Sequence, residues 1–314
     1  MKLNSLRAKA GRALVATAIA LVCSATGKAQ NSRPQHAAGV ILGVLEDLPG
    51  DYAGQPNFRA VRAMFEWRDG NWAAFPSKAR NQSELKLLAR LYPQHISWTI
   101  VFRGRNLGQV SSQAPAQFDF YGEVGTEKIV SAGQVPTIGR RSEDYSDYGG
   151  VPVYRPLVAV SQPNYLDPQH WRRVEPAPKL ISSARQLFRE RFRHVENCTN
   201  PEDDKGHIWS YRDDDIGAGE AYASDDGWRL IELHLRNWRC DGPSEEPFDL
   251  NWFVANPAGA IRFLGFDMQF LDAGDYSGTG SSDVLFSAGG ENLGGYRLYY
   301  QNFARHVDFT FNYH

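Results

Sequence analysis

Short runs of alternating apolar and polar residues recur along this chain, with glycine, proline, asparagine or aspartate between them. The clearest runs are residues 40–45, 61–67, 98–102, 157–160, 229–235 and 307–313. Because successive side chains of a strand point to opposite faces, a period of two is typical of β-strands. Asp69-Gly70 and residues 256–259 each separate two such runs and predict hairpins. The chain is therefore predicted to be mainly β.

Two segments have a helical period instead. Residues 179–195 place Leu180, Ala184, Leu187 and Val195 roughly on one stripe, and residues 83–91 predict a shorter helix. The predicted fold class is therefore all-β with two minor helices.

Weak internal similarity suggests how the strands are arranged. Residues 50–54 resemble residues 274–278, and the Asp69-Gly70 turn resembles the Asp226-Gly227 turn. A repeat of about 52 to 56 residues would explain both similarities, which favours a β-propeller-like fold of about five blades. The alternative is a β-sandwich or two small β domains. Residues 30–314 are predicted to form a single β-rich domain.

The first 29 residues have the pattern of a secretory signal peptide. Basic residues precede the apolar run at residues 13–22, and small residues lie before a cleavage site near Ala29. About ten apolar residues are too few to cross a bilayer comfortably. We therefore expect a secreted or periplasmic protein with no transmembrane segment after cleavage.

The charge balance argues against nucleic acid as a partner. Residues 1–29 hold five basic and no acidic residues, so their removal changes the formal net charge from −2 to −7. Binding to phosphate backbones depends largely on clustered Lys and Arg. Arg185, Arg189, Arg191 and Arg193 form a local basic run, which we interpret as a solvated helix face.

Signal cleavage leaves two cysteines, Cys198 and Cys240. In an oxidising compartment a single pair most often forms one disulfide, here closing a loop of about 40 residues. No CxxC pattern is present, so a metal or nucleophile role has less support.

The segment at residues 272–286 carries the most specific chemical signal. Oxygen-bearing side chains occur at alternate positions, Asp275, Ser277 and Thr279, followed by Gly280 and then by Asp283 at the start of an apolar run. A hard cation needs several oxygen ligands that converge from one short loop, so this spacing predicts a calcium site.

This segment resembles the calcium loop of FG-GAP or VCBS repeats in integrin-type β-propellers. The resemblance covers about 15 residues and implies ligands from Asp275, Ser277, Thr279 and Asp283, with a backbone carbonyl from Ser281. Serine and threonine replace the usual Asp or Asn, so calcium affinity should be low. An empty, hydrogen-bonded turn is the alternative. Residues 294–300 and 307–314 are also similar to the C-terminal strands of uncharacterised secreted bacterial proteins.

Patterns that would identify an enzyme are scarce. The chain has no HExxH, GxSxG or P-loop pattern, and its densest acidic cluster is Asp213, Asp214 and Asp215 with Glu220, interpreted as a solvated loop. The sequence therefore favours an exported, non-catalytic binding or scaffolding module for a protein or glycan ligand. An extracellular carbohydrate-active hydrolase using a carboxylate pair is the alternative. A structural component of the cell envelope is a third hypothesis.

Overall fold

The computed structural model describes residues 39–48, 58–78, 81–113, 126–129, 134–138, 154–197, 207–238, 249–290 and 293–312. The chain divides into two units, Met1–Ala38 and Gly39–His314. The predicted signal peptide, both predicted disulfide cysteines and residues 50–54 lie outside the described residues.

Strands make up most of the described residues. They are β1 (Val40–Leu48), β2 (Phe58–Arg68), β3 (Asn71–Ala74), β4 (Ser97–Phe102), β5 (Arg105–Ser111), β6 (Thr126–Lys128), β7 (Leu157–Val160), β8 (Arg172–Arg173), β9 (Val195–Asn197), β10 (His207–Trp209), β11 (Ile216–Ala223), β12 (Arg229–Leu235), β13 (Asn251–Ala255), β14 (Ile261–Gly265), β15 (Met268–Gly274), β16 (Asp283–Gly290), β17 (Leu293–Tyr300) and β18 (Arg305–Asn312).

Two α-helices are present in the described residues, α1 (Gln82–Ala89) and α2 (Pro178–Arg191). Asn81 caps α1, because its side-chain oxygen accepts the backbone N–H groups of Ser83 and Glu84. Pro178 opens α2, where its missing N–H costs no helical hydrogen bond. Neither helix is both long and apolar enough to span a membrane.

The strands pair antiparallel in four sheets. The seven-stranded sheet has the order β3-β2-β1-β7-β4-β5, with β6 also paired to β2. The five-stranded sheet has the order β14-β13-β12-β11-β8, and the four-stranded sheet has the order β15-β16-β17-β18. β9 and β10 form a separate pair.

The four-stranded sheet lies between the other two large sheets. Leu285 and Phe309 on one face pack in a cluster with Leu42 of the seven-stranded sheet. Phe286 on the opposite face packs in a second cluster with Trp252 of the five-stranded sheet. Because both faces are buried, its sequence reads as a continuous apolar run, as at residues 284–286.

The outer faces of the two flanking sheets are also covered. Ala184 and Phe188 of α2 pack on Ile231 and Leu233 of β12. Burying a side chain the size of Phe188 contributes about 1.5–3 kcal/mol relative to leaving it exposed. On the far side of the molecule, Tyr92 and residues beyond β5 cover the outer face of the seven-stranded sheet.

These observations confirm an all-β fold with two minor helices. The hairpins at Asp69-Gly70 and residues 256–259 join β2 to β3 and β13 to β14 as predicted. None of the four sheets in the described residues closes on itself, and their strand numbers differ, so a five-bladed propeller is not shown. The stacked sheets fit the predicted alternative of a β-sandwich or two small β domains. Asp-Gly turns occur in hairpins of any β architecture, which is why their recurrence did not identify this one.

Candidate metal centre

The predicted calcium loop forms the turn between β15 and β16. Gly274 pairs with Asp283, which closes the hairpin at its base. Gly278 and Gly280 have φ angles of 73° and 82°, in the left-handed region that favours glycine. The tight bend predicted at Gly280 is therefore present, and the chain enters a buried strand directly after it.

Three of the predicted ligand side chains form one hydrogen-bonded group. The Asp275 carboxylate accepts the backbone N–H of Thr279 at 2.8 Å and that of Gly280 at 2.7 Å. The Ser277 hydroxyl lies 3.0 Å from the Thr279 hydroxyl and 3.4 Å from Asp275 Oδ1. These contacts fix the orientation of the Asp275 carboxylate within the turn.

Asp283 joins this group from the start of β16. Ser277 bonds to the Asp283 carboxylate through its backbone and its side chain, and the Trp72 indole N–H donates to Asp283 Oδ2 at 3.2 Å. Burial raises the pKa of Asp283 to about 8, although the Trp72 hydrogen bond opposes the increase. The nearby Asp275 charge raises this pKa further. Asp283 therefore holds a proton at neutral pH when no cation is present.

The fifth predicted ligand, Ser281, has a different side-chain partner. Its hydroxyl donates to Asn302 Oδ1 at 3.5 Å, so the side chain belongs to the contact with the β17–β18 turn. The predicted contribution of Ser281 was its backbone carbonyl, which this contact leaves unused. Ser282, the next residue, donates from its hydroxyl to Asp167 at 2.6 Å and from its backbone N–H to Gln169 at 3.1 Å.

A further carboxylate, Asp272, lies buried in β15 close to the turn. It accepts the backbone N–H of Arg103 with both oxygens, at 3.0 and 3.1 Å. Burial raises the pKa of Asp272 to about 7, and the charge of Asp167 adds to the increase while Arg155 opposes it. Asp272 is 3% exposed and Asp283 is 2% exposed, so both carboxylates are sealed from solvent.

Residues of the 154–167 segment hold the turn in place. β15 is an edge strand, and three side chains donate to the backbone carbonyls along this edge and its continuation into the turn. Arg155 binds the carbonyls of residues 270 and 271, Tyr165 binds that of residue 273, and Gln162 binds those of residues 275 and 276. These bonds satisfy carbonyl groups that an unpaired strand would leave exposed.

Sequence reasoning missed the partners Trp72, Asp167 and Gln169. Each is separated from the turn by more than a hundred residues, so no local spacing connects them to it. Asp167 lies among other polar residues, Asn164, Gln169 and His170, so no pattern in the sequence distinguished it.

The donor set fits a hard cation in part. Two carboxylates and two hydroxyls lie together, and oxygen ligands of this kind suit Ca²⁺. No group of three or more His, Cys, Asp or Glu side chains that could hold a metal occurs in the described residues. A cation at this turn would therefore depend on neutral oxygens for much of its coordination.

The acidic cluster at the five-stranded sheet is engaged in structural contacts. Asp213 pairs with Arg189, and the Asp215 carboxylate accepts the backbone N–H of Arg212 at 2.7 Å in a short 3₁₀ helix. Glu220 accepts the Tyr222 hydroxyl at 2.9 Å. The interpretation as a solvated loop is therefore incomplete, because Asp215 is buried.

Comparison with known proteins gives no relative from which to transfer a function. No protein-family model, no curated protein and no solved structure matches the chain. The function is therefore inferred from the geometry of the molecule.

Proposed function

We propose that this protein is an exported, non-catalytic binding or scaffolding module whose β15–β16 turn holds a weak, structural calcium ion. The observation that carries the calcium assignment is the shared hydrogen-bonded group of Asp275, Ser277, Thr279 and Asp283. All four side chains come from one turn and lie together in this group, as a cation-binding loop requires.

Asp275, Ser277, Thr279 and Asp283 would hold the ion, with the carbonyl of Ser281 as a further oxygen. The bound cation would supply positive charge next to Asp283, whose pKa of about 8 reflects burial beside Asp275. Because carboxylates must be ionised to bind calcium, Asp283 would release its proton as calcium binds. Calcium would thus tie the turn to Trp72 and the seven-stranded sheet.

Burial of the titrating carboxylates supports a non-catalytic role. A hydrolase needs its acid and its nucleophile or base on either side of a bound substrate. Asp272 and Asp283 are 3% and 2% exposed, and they lie beneath packed strands. A glycosidic bond could reach them only if the sheets separated.

Calorimetric titration of residues 30–314 with CaCl₂ at pH 7 tests the metal site. We expect a dissociation constant on the order of 0.1–1 mM, as for extracellular calcium modules. Titration in two buffers with different ionisation enthalpies should give different heats, because about one proton is released. Asp275→Asn should abolish the heat, whereas Asp214→Asn, an equal change at an exposed residue, should preserve it. Absence of both heat and thermal stabilisation at millimolar calcium would remove the ion from this proposal.

A carbohydrate-active hydrolase is the second candidate. The raised pKa values of Asp272 and Asp283 favour it, since a general acid must stay protonated near neutral pH. Loss of glycan hydrolysis in Asp272→Asn or Asp283→Asn, with binding retained, would establish this alternative and exclude the non-catalytic role.

A further inference from the structure

A cleft of about 360 Å³ opens where the five-stranded sheet stops covering the four-stranded sheet. The edge strand β14 and residue Phe266 line one side, and β17 and β18 line the other. Its volume lies at the lower end of the range for small-ligand pockets. The cleft shares no lining residue with the calcium turn.

A paired guanidinium and carboxylate lie in this cleft. Arg297 of β17 and Asp308 of β18 are cross-strand neighbours, and two parallel hydrogen bonds of 2.6 and 2.8 Å join them. Their side chains are 27% and 38% exposed, so both remain accessible to a ligand. Each carboxylate oxygen of Asp308 has a second lone pair, which can accept a hydrogen bond from a ligand. Arg297 Nη1 lies 3.9 Å from the sulfur of Met268, a weak acceptor, so this nitrogen can donate to a ligand. The pair can therefore donate and accept at adjacent points.

The opposite side of the cleft is apolar. Phe263, Leu264 and Phe266 line it. Leu293 of β17, 36% exposed, adds an apolar side chain on the side of the Arg297–Asp308 pair. Gly265 lies close to the ends of two flexible side chains of the cleft. A Cβ atom there would lie 2.9 Å from the Met268 methyl group and 3.0 Å from Arg297 Nη1.

Arg191, the last residue of α2, adds a positive charge at the cleft. Its guanidinium lies 4.3 Å from the centroid of the Phe263 ring and is held there by a cation–π contact. Arg191 is exposed, and no carboxylate of the described residues pairs with it. The cleft therefore combines an apolar side, a donor–acceptor pair and an uncompensated cation.

We propose that this cleft binds a carboxylated saccharide, with a pyranose ring between the apolar side and the Arg297–Asp308 pair. The C–H face of the ring packs on Phe266 and Leu264. Adjacent ring hydroxyls donate to Asp308 and accept from Arg297, and the sugar carboxylate pairs with Arg191. This inference rests on the proposed binding function and names its site and ligand class.

The other large cavity, about 520 Å³ along α2, is less suited to such a ligand. Its arginines are already engaged, since Arg189 pairs with Asp213 and Arg185 donates to the carbonyl of Ile216 at 2.7 Å. An incoming anion would have to displace these contacts.

Binding of a galacturonic acid hexamer to residues 30–314, measured by calorimetry with cellohexaose as the neutral probe, tests the proposal. We expect the acidic hexamer to bind and the neutral one to bind at least fivefold more weakly. Asp308→Asn should weaken binding of the acidic hexamer about tenfold, because the amide has one accepting oxygen where the carboxylate has two. Arg191→Ala should reduce the preference for the acidic hexamer.

Arg68→Ala is the control for Arg191→Ala, because Arg68 is an exposed arginine of the seven-stranded sheet, 68% exposed and paired with Glu66. It should leave binding unchanged. Thermal unfolding of each variant separates lost binding from lost folding, and Arg191→Ala is informative even if Asp308→Asn fails to fold. No binding of the acidic hexamer, tighter binding of cellohexaose, or unchanged affinity in Arg191→Ala would overturn the proposal.

Failure of this proposal can be told apart from failure of the proposed function. Calcium stabilisation without saccharide binding would refute only the cleft assignment. Mass spectrometry of the hexamer after incubation would detect cleavage, and cleavage would refute the non-catalytic function whether or not the cleft variants change affinity.

Discussion

Two buried carboxylates at the interface between the seven- and four-stranded sheets are stabilised in different ways. Glu46 binds Arg62, whose Nε and Nη2 both lie 3.0 Å from Glu46 Oε2, and it also accepts the Tyr296 hydroxyl. Asp283, in contrast, receives hydrogen bonds from Trp72 and Ser277 and has Asp275 as its nearest charge. One carboxylate has a cation beside it and the other has a second carboxylate.

The difference decides which region responds to pH. Burial is the largest single influence on Arg62 and lowers its pKa, but the charge and hydrogen bond of Glu46, together with the nearby tyrosines, raise the pKa overall. Arg62 therefore keeps its positive charge beside Glu46. Asp283, with a pKa of about 8, changes its charge near neutral pH unless a cation replaces the proton. Hydrogen bonds alone do not compensate for a desolvated carboxylate here.

The largest expected effect comes from breaking the ion pair. Arg62→Met should lower the free energy of unfolding by about 3–5 kcal/mol, because Glu46 is left as a buried charge without a cation. The double variant Arg62→Met with Glu46→Leu should recover most of this loss. Arg68→Met, at an exposed pair, should cost about 0–1 kcal/mol. Urea unfolding measures all three, and equal losses in the single and double variants would contradict the assignment.

The second prediction concerns pH in calcium-free buffer. Folded Asp272 and Asp283 keep their protons to about pH 7 and pH 8, whereas unfolded aspartates lose theirs near pH ~3.9. Between these values the folded state binds more protons, so stability falls as pH rises. Each group should contribute up to about 1.4 kcal/mol per pH unit.

Asp272→Asn and Asp283→Asn should each reduce this slope between pH 5 and pH 8, as measured by denaturant unfolding at several pH values. Asp214→Asn should leave the slope unchanged, since Asp214 is exposed. Millimolar calcium should flatten the wild-type slope by stabilising the ionised form of Asp283. Identical slopes in wild type and both variants would show that these carboxylates do not titrate as described.

The smallest predicted effect concerns the turn itself. Gly280 has a φ of 82° and no atom near the position of a Cβ, so Gly280→Ala should cost about 1 kcal/mol through backbone strain alone. Gly259, with a φ of 87° and equally open surroundings, is the matched control. Both variants should lose similar stability, but only Gly280→Ala should weaken calcium binding, because relief of its backbone strain would move the N–H that orients Asp275. Equal calcium affinity in the two variants would show that the position of the Gly280 N–H does not affect calcium binding.

Local features of this fold were predictable from sequence, and long-range ones were not. β7 occupies the predicted residues 157–160, since an apolar run between turn residues defines its own ends. The β15–β16 turn was predicted because all its oxygen side chains lie within nine positions. The Trp72–Asp283 bond joins residues 211 positions apart, and the stacking order of the sheets depends on many such contacts. The spacing of these residues therefore predicted a turn followed by a strand, but it did not predict which sheet the turn would pack against.

The middle position of the C-terminal sheet has a consequence for how the chain is made. Both flanking sheets bury their inner faces against residues 268–312, which leave the ribosome after the residues of both flanking sheets. Until those residues are synthesised, the apolar inner faces of the two flanking sheets remain uncovered. The cores on both sides of the four-stranded sheet can therefore be completed only after residues 268–312 have been synthesised.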